Sequence, residues 1–119
     1  EFHARSSDAT IRLAADVRGD RPSPLDVDAL ASSLGVTVSS RPMPPLLHGV
    51  TRSVTRVSIN AGLSAIDRRF ALAHELGHVM VRRGRCPHVG PRTEERFADR
   101  FARHLIAALP EVQKGTATM

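Results

Sequence analysis

Apolar positions fall in helical register over four stretches of the chain and alternate over three short ones. Between Ala9 and Val17, the spacing of Ile11, Leu13, Ala14 and Val17 fits a short amphipathic helix, which Gly19-Asp20-Arg21-Pro22 stops. Pro24 opens a second helix in its first turn, with Leu25, Val27, Leu30, Ala31 and Leu34 apolar and Gly35 at the stop. Ser64-Ala65-Ile66-Asp67 has the form of a capping box. Behind it Ile66, Phe70, Ala73, Gly77 and Met80 mark the apolar side of a third helix that ends near residue 83. Thr93 caps a fourth, whose first turn carries Glu94 and Glu95 and whose stripe is Phe97, Phe101, Leu105 and Ala108 until Pro110.

The alternating stretches read as strands. Val36-Thr37-Val38-Ser39 is the first, and Pro42, Pro44 and Pro45 impose a loop after it. His48 to Thr51 and Thr55 to Ile59 are β-branched runs around Arg52-Ser53, a hairpin with Val57 and Ile59 on its buried face. Arg85 to Arg92, with Pro87, Gly90 and Pro91, is a loop, and residues 1–7 and 111–119 are expected to be flexible. No repeat breaks the chain, so residues 1–119 are expected to form one α+β domain of about four helices and a small three-stranded sheet.

Composition narrows the class. Hydrophobic residues make up 41% without a Trp or Tyr, so the core rests on Leu, Val, Ala and Phe. The single Cys86 cannot form an internal disulfide, and no run approaches the roughly 18 apolar residues of a membrane span. A reducing, cytoplasmic setting is therefore expected. The net charge of +5 is almost all Arg, Lys114 being the one Lys. These arginines are spread along the chain without interleaved aromatics for base stacking, and genome base composition alone can favour Arg, so direct nucleic-acid binding is disfavoured.

The chemistry lies in the third helix, where His74-Glu75-Leu76-Gly77-His78 has the H-E-x-x-H spacing. Residues four apart stack on one helix face, so two imidazoles converge on one ion. Glu75 lies about 100° around the helix from His74 and about 60° from His78, which lets it flank the ion as a general base. Zn²⁺ accepts neutral imidazole nitrogens and lowers the pKa of a bound water to about 7. Gly77 is expected to let a strand or substrate approach the helix. A third ligand is sought in the fourth helix, where Glu95 and Asp99 share a face; we assign Glu95 to the metal and Asp99 to a bond with the free N–H of a ligand histidine. The competing reading is a solvated acid, or one paired with Arg92, Arg96 or Arg103. Cys86 is close enough in sequence to ligate, but a thiolate would close the site and suit structural zinc.

Arg69-Phe70-Ala71-Leu72-Ala73-His74-Glu75-Leu76-Gly77-His78, followed by Glu95-Arg96-Phe97-Ala98-Asp99-Arg100-Phe101-Ala102, resembles the ImmA/IrrE metallopeptidase family. Leu30 to Val36, Asn60, and Leu105 to Pro110 extend the likeness less specifically. The resemblance implies a minimal zincin-like fold, zinc on His74, His78 and Glu95, and Glu75 as the catalytic base. It also implies an intracellular endopeptidase that cuts a helix-turn-helix repressor. An alternative is a non-cleaving interaction module of a repressor or toxin–antitoxin system on the same fold. With no Tyr to stabilise an oxyanion, the candidates are His88, His104 or an arginine, each of which also reads as an ordinary surface residue.

Overall fold

A computed structural model describes residues 2–86 and 90–107, with side chains from residue 9 onward. Helix α1 spans Phe2–Arg18, α2 Val27–Ser33, α3 Ala65–Arg82 and α4 Gly90–Ile106; strands β1, β2 and β3 are Thr37–Arg41, Gly49–Ser53 and Arg56–Asn60. The expected α+β class is observed, with four helices and one three-stranded sheet.

Several boundaries move, each for a local reason. α1 begins at Phe2 rather than near Ala9, so residues 2–7 lie within it; residues 111–119 and Pro110 are outside the described residues. α2 does not open at Pro24 but at Val27, because the Asp26 side chain accepts a hydrogen bond from Ala29 N at 3.0 Å and makes Asp26 the N-cap. Ser64 caps α3 as expected, accepting from Asp67 N at 3.2 Å. α4 starts at Gly90, ahead of Thr93, with Pro91 in the first turn, where its missing N–H costs nothing. Glu94 and Glu95 consequently sit about one turn in.

The sheet has the order β1-β3-β2. β1 runs parallel to β3, and β2 pairs with β3 antiparallel. The hairpin turns at Val54-Thr55, because the register shifts between Thr51 and Ser53 and leaves Arg52 as the inserted residue. Val57 and Ile59 are buried as expected, yet Ser58 and Asn60 are buried too, so the central strand is covered on both faces.

α3 is the axis of the domain. Leu72, Leu76, Val79 and Met80 are fully enclosed, between the sheet on one side and α2 and α4 on the others. α1 packs against α4, and Phe101 and Leu105 enter the same core. Two positions expected on apolar faces are exposed: Ile66, in the first turn of α3, at 78%, and Ile11 of α1 at 43%.

The Pro-rich segment before β2 is tied down from within. Asn60 Nδ2 donates to Leu47 O at 2.8 Å and to Pro44 O at 3.2 Å, while its Oδ1 accepts from Gly62 N at 2.9 Å. Leu47 N donates to Pro44 O at 3.0 Å, which closes a turn with Pro45 and Leu46 at its tip.

Candidate metal centre

Helices α3 and α4 lie antiparallel, and their contact assembles the site. Between the two histidines, Gly77 faces α4 so closely that a Cβ there would come within 2.9 Å of Ala98 Cα and 3.3 Å of the Phe101 ring. The partner that this glycine admits is thus a helix, not the strand or substrate expected from the sequence. Close approach of the two backbones brings the acids of α4 within reach of the imidazoles.

His74 Nε2 and His78 Nε2 are 3.3 Å apart. Glu95 reaches both, its Oε1 3.2 Å from His74 Nε2 and its Oε2 2.9 Å from His78 Nε2. One ligand atom from each residue lies within 4.8 Å of the others, so these three could hold a metal ion. The spacing suits zinc: bonds of about 2.0–2.1 Å in a tetrahedron place neighbouring ligand atoms about 3.3 Å apart.

The other ring nitrogens are also engaged. His74 Nδ1 pairs with Asp99 Oδ1 at 2.8 Å, and His78 Nδ1 pairs with Glu94 Oε2. A proton on each Nδ1, donated to a carboxylate, leaves the Nε2 lone pair aimed at the shared point, which is the arrangement metal-binding histidines require. Asp99 stands where the sequence put it. Glu94, which the sequence marks only as a first-turn acid, takes the Nδ1 of His78, a pairing set by the way α4 docks on α3.

Glu75 faces the sheet. It is 7% exposed, and its Oε1 accepts the Thr51 hydroxyl at 2.6 Å, a bond that the hydroxyl shares with Glu75 O at 3.1 Å. Thr51 belongs to the edge strand β2, so this link crosses from sheet to helix, and the local sequence around either residue gave no sign of it.

A cleft of about 340 Å³ opens over these groups, and its lining includes His74, Glu75, Glu95 and Asp99. His48, one residue before β2, lines it from the opposite wall. The oxyanion candidates from the sequence are not there: His104 is half-buried in the last turn of α4 and is not among the lining residues, no arginine lines the cleft, and His88 is outside the described residues. Cys86 is not part of the ligand group either; it is half-buried beside the core, and burial raises its thiol pKa above the ordinary value.

Two imidazoles and a carboxylate converging from antiparallel helices, with a buried glutamate between helix and edge strand, define a metallopeptidase-type domain of minimal zincin form. Residues 31–111 match the IrrE N-terminal-like domain, a peptidase family, and the chain belongs to that family. No curated protein matches the sequence. Among the described residues no helix is long and apolar enough to cross a membrane.

Proposed function

We propose that the protein is a zinc-dependent endopeptidase of the cytoplasm, with His74, His78 and Glu95 as ligands and a protein as substrate. Family resemblance points to a helix-turn-helix repressor as that substrate. The observation that carries the reading is the orientation of the two imidazoles, each with Nδ1 on a carboxylate and Nε2 turned to the same point as Glu95.

Zinc bound there would supply a Lewis acid that polarises a peptide carbonyl and acidifies water. The chain's own residues do the rest. Thr51 holds Glu75 Oε1, so Oε2 is the oxygen that takes a proton from the attacking water. As the C–N bond breaks, Glu75 returns that proton to the departing amide nitrogen, which leaves as an amine. His48 also lines the cleft and is the side chain we assign to donate a hydrogen bond to the carbonyl oxygen as it gains charge.

The edge strand orients the peptide. Asn60 N donates to His48 O at 2.8 Å, so by the alternation of antiparallel pairing Gly49 and Thr51 turn their backbone groups away from β3. Arg82 Nη1 takes the outward Thr51 carbonyl at 3.2 Å. The Gly49 groups face the cleft, where an extended chain can add as a fourth strand.

Glu75→Gln is expected to keep stoichiometric zinc and lose roughly 10²–10⁴-fold in cleavage rate. Metal analysis checks the first part. Comparing the proteomes of cells carrying wild type and variant checks the second: a repressor shortened only by the wild type supports the proposal, and equal processing by both removes Glu75 from the mechanism.

A further inference from the structure

Five large hydrophobic side chains stand exposed among the described residues, and two of them line the cleft of the proposed site. Leu46 is 97% exposed and Leu47 41%, and both line the cleft that contains His74 and Glu75. Ile66 is 78% exposed, and it opens the series Ile66, Phe70, His74, His78, in which each residue follows the last by four. Each four-residue step turns about 40° on a helix, so Phe70 stays close to the face of His74, while Ile66, about 80° away, leaves the cleft. Phe70 and Ala71 line the cleft beneath Leu46 and Leu47. Apolar groups therefore flank one end of the site from both walls.

The loop wall is built to hold its shape. Leu46 sits at the tip of a turn closed by Leu47 N on Pro44 O, with Pro45 before it, and the buried Asn60 side chain binds the carbonyls of Pro44 and Leu47. An exposed leucine on a loop pinned in this way gives up little conformational entropy when a ligand covers it.

Polarity along β2 says which part of a ligand reaches this end. β2 runs from Gly49 to Ser53, and Leu46 and Leu47 precede it. A peptide added antiparallel to β2, the more stable pairing, runs the other way and leaves the site past Gly49 toward Leu47. What arrives there is the segment after the cleaved bond.

We infer that Leu46, Leu47 and Phe70 form a specificity surface for large apolar side chains in the first two positions on the C-terminal side of the cleaved bond. This rests on the endopeptidase reading for the position of that bond, while the surface itself is tested separately. The class of ligand is an extended peptide with Leu, Ile, Met or Phe at those positions.

The test uses zinc-loaded full-length protein and a synthetic library of randomised decapeptides. Wild type is expected to cleave with an apolar preference of about tenfold at those two positions, the range an apolar pocket can discriminate. The double substitution Leu46→Glu/Leu47→Glu is expected to abolish the preference at unchanged zinc content and melting temperature. A second arm measures which library peptides immobilised Glu75→Gln protein retains, with and without the same substitutions. Apolar enrichment that these substitutions remove supports the surface even if wild type cleaves nothing, an outcome that would sink the peptidase reading alone. Cleavage without that preference, a preference the substitutions leave intact, or no apolar enrichment in the retained peptides when cleavage is also absent would overturn the surface.

Discussion

Single side chains around the metal centre hold positions that their neighbours in sequence do not explain. Thr51 is the clearest, because its hydroxyl holds one oxygen of Glu75 and, in the proposed mechanism, leaves the other to handle the proton. Thr51→Val keeps the shape and removes the donor; kcat is expected to fall about tenfold, the worth of one hydrogen bond to a charged group, at unchanged KM and zinc content. Steady-state kinetics on a cleaved peptide checks this, and a loss confined to KM would place Thr51 in substrate binding instead. Glu94 and Asp99 act one step further out, through the imidazoles they orient. Glu94→Gln and Asp99→Asn should each weaken zinc binding about 10- to 100-fold, measured by competition with a chelating dye. If Glu94→Gln leaves affinity unchanged, its contact with His78 does not serve the metal.

Among the elements, the contact of α3 with α4 carries the site, and Gly77 sets its distance. Gly77→Ala gains about 1 kcal/mol of helix propensity but pushes a methyl into the Ala98 backbone, an overpacking cost of about 1–3 kcal/mol or more. The net expectation is a lower denaturation midpoint together with weaker zinc binding, since α4 carries Glu95 and Asp99 away as it moves. A variant as stable as wild type, with unaltered affinity, would show that the helices do not need the close approach. Much of this architecture was legible. His74, Glu75 and His78 share one helix, where four-residue spacing fixes their faces, and Glu95 and Asp99 are related in the same way. Glu94 was not legible, because the helical phase that turns it to His78 depends on how α4 docks. Thr51 reaches Glu75, and His48 the cleft, only through the pairing of β2 with β3 and the seating of that sheet on α3. Helix starts at Val27 and Gly90 escaped for a different reason: the capping side chain of Asp26 and the tolerance of a first turn for Pro91 outweighed the propensity signals at Pro24 and Thr93.

Across the whole molecule the abundant arginine has a structural use that composition could not reveal. Arg18 donates to Leu105 O at 2.7 Å, Arg69 to Leu25 O at 3.1 Å, Arg82 to Thr51 O at 3.2 Å and Arg83 to Val54 O at 2.6 Å. Each guanidinium satisfies a main-chain carbonyl distant in sequence, so four of the sixteen arginines work as clamps within the fold. The Arg18 bond also sets a cation at the C-terminal end of α4, where the helix dipole favours one. These clamps do not link α3 to α4, however, and the ligands are divided between those two helices. Zinc at about one hundred times its dissociation constant should therefore raise the melting temperature by about 10 °C, reversed by EDTA; an unchanged melting curve on chelation would argue against a native-state site. In polymer terms the ion is a removable cross-link. It would close the loop between His78 and Glu95, and a cross-link over about 15 residues restricts the unfolded chain by about 3 kcal/mol. Stripping the metal would then do more than silence the peptidase: it would leave α4 held by packing, the Arg18 bond and the contacts of Glu94 and Asp99 with the histidines, and the loss of the cross-link would make that end of the protein the first to open to exchange or to another protease.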